Sequence, residues 1–131
     1  MYVSFGYDYR EETSETFKFN FTTKQWHKLA HDVLGRCYHS CNLYRDFLIV
    51  FGGSWDYRYL NDVRQYDIAN NNWSKFETHG DIPPKRYDHS SIINNGNLYI
   101  FGGKKLDVAG HNIDVYSLNL TNHKWSIVEI S

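Results

Sequence analysis

Two prolines, two cysteines and one methionine in 131 residues deprive several architectures of their raw material. A disulfide scaffold needs bridgeable cysteines, but Cys37 and Cys41 share a segment that reads as a strand. An extended chain would hold them roughly 13 Å apart, beyond bridging distance. Reduced thiols point to an intracellular, cytoplasmic setting. No apolar run approaches transmembrane length and the N-terminus carries no secretion signal, so no membrane partner is expected. Charge of one sign is lacking too. The 14 basic and 15 acidic side chains leave a net charge of −1, which offers nucleic acid no attractive field. No stretch keeps the period of a helix.

What the chain does have is aromatic residues, 18% of the total, which suit strands. It also has a repeat. Phe51-Gly52-Gly53 returns as Phe101-Gly102-Gly103, preceded in each case by the same pattern, Arg36-x-x-His39-Ser40 and Arg86-x-x-His89-Ser90. Trp73 and Trp125 close these two units, and Trp26 closes a shorter earlier one. Self-similarity at such a period marks an array of supersecondary units.

The spacings divide into fixed and drifting ones. Arg to His is 3 and His to Phe is 12 in both copies, and the bulky apolar residue before the closing Trp sits 7 ahead of it in all three. Those residues are Phe19, Tyr66 and Leu118. From the Phe-Gly to that residue the gap runs 14, 15 and 17, counted from Phe5, Phe51 and Phe101. Trp to the next Arg is 10 once and 13 once.

Between the connections lie strands. Ser40–Tyr44 and Phe47–Phe51 flank Arg45-Asp46, and Ser91–Ile93 and Leu98–Phe101 flank a turn containing Asn95-Gly96, a strong hairpin signal. Asp62–Ile68 alternates as a half-buried strand does and then meets Asn70-Asn71-Asn72. Each unit therefore reads as four antiparallel strands, a to d. The fixed gaps fall on the a–b and c–d turns at one end. The drifting gaps fall on the b–c and d–a connections at the other, where recognition is expected.

This pattern resembles the Kelch repeat, on the strength of the diglycines Gly52-Gly53 and Gly102-Gly103, the aromatic Tyr66, and Trp26, Trp73 and Trp125 at matched offsets. The stretch Gly80-Asp81-Ile82-Pro83-Pro84-x-Arg86 looks like the form found in leucine-zipper-like regulators and Rab-effector-type proteins. The resemblance implies an all-β, Kelch-type β-propeller segment spanning 1–131, with a partial blade at 1–30 that lacks its first strand and blades at 36–78 and 86–131. The first unit departs from the pattern in having Tyr7 after Gly6, and the third in having Leu118 for the aromatic. Propellers close with four to eight blades, so further blades or self-association of copies are expected.

Candidate chemistry is sparse. His39 and His89 occupy one repeat position, and the other histidines show no ligand spacing, so no metal is expected. The Glu-x-x-x-Asp-x-x-x-His iron motif of Kelch-class nitrile-specifier proteins is met only by Glu77, Asp81 and Lys85, without the histidine. No copper–radical site, catalytic serine elbow or phosphate-binding glycine loop is recognisable, so neither enzyme activity nor a cofactor is expected. The sequons at Asn20, Asn72 and Asn119 read as chance products of Asn-rich turns. The b–c loops stand out instead. Trp55, Tyr57, Arg58 and Tyr59 crowd one loop, Tyr9 and Arg10 repeat the flavour in the first unit, and Lys104 and Lys105 open a third loop running to His111. Aromatics and arginine dominate binding hot spots, so a protein partner is expected at these loops. Arg36 and Arg86, recurring at the head of strand a, are expected to be structural, as are His39 and His89. Purely structural duty inside a larger propeller, or membership of a Kelch-class enzyme with its active residues elsewhere, are the alternatives.

Overall fold

The computed structural model describes residues 1–106 and 113–131, and every described element of regular structure is a strand. The first sheet holds β1 (Tyr2–Tyr7), β2 (Glu12–Asn20) and β3 (Gln25–Lys28), and the second holds β4 (Ser40–Tyr44), β5 (Phe47–Trp55), β6 (Arg58–Asp67) and β7 (Asn72–Lys75). The third holds β9 (Ser90–Asn94), β10 (Asn97–Phe101), β11 (Val115–Asn119) and β12 (Lys124–Ile127). Sequential strands pair antiparallel throughout. The short β8 (His79–Gly80) adds a parallel edge to β12, with His79 opposite Lys124.

Local chemistry fixes the turns. Arg45 and the Asn95-Gly96 pair take positive φ in two-residue a–b hairpins, the conformation such turns demand. In the c–d turns a short polar side chain performs one job three times. Asn20 Oδ1 accepts the Thr22 and Thr23 amides (2.9 and 3.1 Å), Asp67 Oδ1 accepts Asn70 (3.2 Å), and Asn119 Oδ1 accepts Thr121 and Asn122 (2.8 and 3.1 Å). These side-chain caps hold the turn length and hence the invariant distance to each Trp.

Two details differ from the sequence expectation. The diglycine positions have φ of 62° and 99° at Gly52 and Gly53, and 60° and 90° at Gly102 and Gly103. In the first sheet those conformations fall on Phe5 (63°) and Gly6 (126°), so Ser4, not Phe5, is the equivalent of Phe51. The hydrogen bonds agree, because Gly6 and Gly53 donate to the carbonyls of Arg36 and Arg86 at 2.9 Å each. The gap of 14 thereby becomes 15, equal to that of the second sheet, and the first turn is made although Tyr7 follows Gly6. Secondly, Ser54–Tyr59 is no open loop. Strands β5 and β6 continue through it, and only Asp56 and Tyr57 turn, with φ of 45° and 59°.

The sheets meet face to face along two seams. At the second, Ile49, Phe51, Val63 and Phe76 of the second sheet bury themselves against Leu98, Ile100, Leu118, Leu120 and Trp125 of the third. Trp125 lies 5.3 Å from Phe51, centroid to centroid. At the first seam Trp73 rests 4.9 Å from Phe5, and its Nε1 donates to Thr16 Oγ1 (3.1 Å) and to the Ala30 carbonyl (3.2 Å). Each closing Trp thus packs on the preceding sheet. Trp26, in the first described sheet, is 52% exposed, whereas Trp125 is fully buried.

Candidate functional site

The b–c hairpins of the first two sheets and the starts of the a strands share one rim. Two arginines anchor it. Arg36 and Arg86 are completely buried, though arginine rarely is unless paired. Arg36 Nη1 donates to the Gly52 carbonyl (3.0 Å), and its fork grips Asp62 at 2.8 and 2.9 Å. Arg86 does the same with the Gly102 carbonyl (2.8 Å) and Asp114 (2.8 and 3.1 Å). Their own carbonyls accept from the preceding sheet's Gly6 and Gly53. Each arginine therefore ties its sheet's diglycine turn to the neighbouring sheet. The acidic partners escaped the sequence reading, although both sit four residues ahead of the apolar residues Tyr66 and Leu118. The equivalent residue in the first sheet is Glu15, which pairs with Lys28.

Behind the arginines lie the repeat histidines. Burial, reinforced by the arginine charges, holds both imidazoles neutral and lowers each to about 4. His39 and His89 set their ring edges against Phe5 and Phe51 at 5.2 and 5.1 Å, and His89 Nε2 lies 2.9 Å from Ser40 Oγ. Among the described residues no three histidine, cysteine or acidic side chains converge as metal ligands.

On this platform stand the loop residues. Asp8 Oδ1 accepts the amides of Arg10 and Glu11 at 3.2 Å each, and Tyr9 at the tip takes φ of 78°. Facing it is the Asp56-Tyr57 turn. Tyr9 and Tyr57 are 97% and 96% exposed, an unusual expense of apolar surface to water. Between the two hairpins opens a cleft of about 350 Å³, lined by Tyr7, Arg10, Glu11, Glu12, Trp55, Asp56 and Tyr57. Arg10, Trp55 and Tyr57 are thus brought together. Arg58 is exposed as the first residue of β6.

Tyr59 and the lysines go elsewhere. Tyr59 stacks 4.6 Å from Tyr87, which also lies 5.8 Å from Tyr38. The hydrogen bond to Tyr87 raises the Tyr59 phenol above its ordinary value. Lys104 Nζ sits 5.6 Å over the Tyr87 ring and 3.5 Å from Asp88. This second cluster, with Tyr38 60% exposed, extends the aromatic rim toward the third sheet. Tyr38 and Tyr87 were missed in sequence, although each lies between the repeat Arg and His. Lys105 is held inward, 2.7 Å from Asp114, where it shares the carboxylate with Arg86. Residues 107–112, including His111 of the third loop, lie outside the described residues.

No helix among the described residues is long and apolar enough to cross a membrane, which says nothing of a β-barrel. Cys37 and Cys41 are both free. Comparison with known proteins agrees with the geometry. The family model of the KLHDC2/KLHL20/DRC7 Kelch-repeats domain matches residues 1–131. The chain is 33% identical over 115 residues to the leucine-zipper-like transcriptional regulator 1 homolog of Drosophila melanogaster, covering 79% of this chain and 12% of that protein. It is 29% identical to Kelch domain-containing protein 1 of Mus musculus (96% of this chain, 38% of that protein) and 26% identical to Kelch domain-containing protein 3 of Homo sapiens (98% and 37%). It therefore spans well under half the length of these relatives. With matched diglycine turns, arginine clamps and closing tryptophans in antiparallel sheets, this chain belongs to the Kelch-repeat family, and its sheets are blades of a β-propeller segment.

Proposed function

We propose that the chain is a non-catalytic protein-interaction module that captures a protein partner on the rim formed by its b–c hairpins and d–a connections. The cleft between the first two b–c hairpins, flanked by the exposed Tyr9 and Tyr57, carries this reading. Trp55, Tyr57 and Tyr9 offer large rigid surfaces, and Arg10 and Arg58 offer forked donors, the residue types that concentrate interface energy. Lys104 and Tyr38 extend the contact across the second seam. Glu11, Glu12 and Asp56 share the cleft with Arg10, so the surface suits a partner of mixed charge. Tyr59 and Lys105 support their neighbours from within. Two free cysteines favour a reducing compartment, and the cytoplasm is the proposed location.

Affinity capture with paired variants tests the face. Trp55→Ala with Arg58→Ala should remove the captured partner at unchanged circular dichroism, a loss on the order of 2 kcal/mol or more. Alanines at Arg45, Asp46 or Asn97 in the opposite a–b turns should leave capture intact. Loss of capture with the turn set alone would place recognition at the other end.

A further inference from the structure

The cleft between the first two b–c hairpins is built from residue types that its turns do not favour. Asp56 and Tyr57 take left-handed backbone in succession, with φ of 45° and 59°. Asn-Gly adopts such a two-residue turn most easily, and this chain uses it in an a–b turn at Asn95-Gly96, with φ of 49° and 75°. Tyr9, at the facing tip, is left-handed as well. Backbone outliers cluster where the side chains they hold have a task. Here they hold two exposed rings and a carboxylate.

Tyr7, Trp55 and Tyr57 wall the cleft with rings, and Glu11, Glu12 and Asp56 bring carboxylates to it. Three carboxylates against the one guanidinium of Arg10 leave the lining with a net charge of −2. Among the described residues none of the three carboxylates enters an ion pair. That charge selects the occupant. An anionic anchor would gain Arg10 and meet three like charges, and an apolar one would strip water from the carboxylates without replacing it. A cation is attracted by carboxylates and by ring faces alike. Guanidinium suits the site better than ammonium, because it is flat, weakly hydrated, stacks on aromatic rings and presents paired donors to a carboxylate. At about 350 Å³ the cleft is near the lower end of the roughly 300–1,000 Å³ of ligand pockets, room for a side chain. A further blade has no seat there. Both walls belong to blades already joined through Phe5 and Trp73, and no lining residue belongs to the buried cluster of the second seam.

We infer, taking the rim as the binding face as proposed above, that this cleft receives an arginine side chain of the protein partner. Trp55 and Tyr57 cover the guanidinium and the carboxylates accept its N–H groups. Arg10 is left for an acidic neighbour in the partner.

Peptide titration of the 131-residue chain, followed at the Trp55 indole N–H resonance, tests this. The probes are blocked Gly-Ser-X-Ser-Gly peptides with arginine, lysine, citrulline or glutamate at X. The arginine peptide should shift the resonance saturably and bind more tightly than the lysine peptide. Citrulline, of the same shape without the charge, should bind about tenfold more weakly or worse. Asp56→Asn with Glu12→Gln should weaken the arginine peptide by a similar factor at unchanged circular dichroism. An arginine peptide that produces no shift, or that lysine, citrulline or glutamate equals, would overturn the inference, as would a carboxylate variant that binds like wild type. Capture of the partner keeps the two readings apart. If Trp55→Ala with Arg58→Ala loses the partner while Asp56→Asn with Glu12→Gln retains it, the rim stands and the arginine anchor falls. If the alanine pair still captures the partner, both fall together.

Discussion

The two seams joining the three blades use equivalent repeat positions and solve the same packing problem with different chemistry. The first blade receives its neighbour with the ring of Phe5 and the hydroxyl of Thr16, where the second blade uses Phe51 and Val63. At the first seam the Trp73 indole N–H finds the Thr16 hydroxyl and the Ala30 carbonyl. At the second, Trp125 is buried more deeply and its Nε1 has no hydrogen-bond partner among the described residues. The first seam thus satisfies a donor with less apolar contact. The second gains apolar area and leaves a donor unpaired, an omission that typically costs about 1–3 kcal/mol. Repeat position decides which residues touch, and residue identity decides what the touch is worth.

Backbone substitution should separate the seams most strongly. A Cβ on Gly53 would lie 2.6 Å from the Cys37 carbonyl at a φ of 99°, whereas one on Gly6 meets nothing within 4 Å. Gly53→Val should unfold or aggregate the chain, and Gly103→Val should act alike through the Tyr87 carbonyl at 2.8 Å. Gly6→Val suffers the φ strain alone and should leave a folded, weakened protein. A Gly53→Val chain as soluble and as cooperative as wild type on heating would break the comparison.

Cavity-forming changes come next. Phe51→Ala empties the centre of the second seam and should cost about 3–5 kcal/mol in denaturant titrations. Phe5→Ala, which removes the ring that meets Trp73 and His39 in the first seam, should cost less than Phe51→Ala, since Phe5 lies outside the buried cluster that surrounds Phe51. Equal losses would mean that the seams are not distinguished by apolar filling.

What could be read from sequence follows the same division. Hairpins marked by Asn95-Gly96 and Arg45-Asp46, and the strands beside them, were legible because turn chemistry is local. The first blade's register was read one residue out because Phe5 takes the left-handed conformation normally left to glycine, and so imitates the Phe of Phe-Gly. The Asp56-Tyr57 turn hid two strand extensions because neither residue is a glycine or an asparagine. Asp62 and Asp114 were not identified as the arginines' partners, since those pairings span 26 and 28 residues. Of the rim, Trp55, Tyr57 and Arg10 were singled out from composition, while Tyr38 and Tyr87 were not. Their place depends on two blades meeting, a contact that no local pattern encodes.

Acid should loosen both seams together. Burial first, then the neighbouring arginine, depresses His39 in the first seam and His89 in the second from 6.5 to about 4. Between those values the unfolded chain binds protons that the folded chain refuses. The histidines' contribution is therefore fully present above pH 6.5 and is lost as pH falls toward 4, by at most about 3 kcal/mol for each. The melting temperature should fall through that window, and His89→Gln should remove about half of the slope. A flat profile between pH 7 and 4.5 would show that neither imidazole is held neutral.

The smallest expected effect is the sharpest test of the rule that repeat position sets the contact and residue identity sets its chemistry. Thr16 and Val63 are equivalent residues facing equivalent tryptophans, so exchanging their chemistry should exchange the behaviour of the seams. Thr16→Val should destabilise by about 1 kcal/mol in equilibrium denaturation, with Trp73 keeping only the Ala30 carbonyl. Val63→Thr should give Trp125 its missing acceptor and hold or raise stability, with slower exchange of the Trp125 indole proton. If Val63→Thr instead lowers stability as much as Thr16→Val does, and Trp125 indole exchange is unchanged, the two seams do not share one geometry and the rule fails.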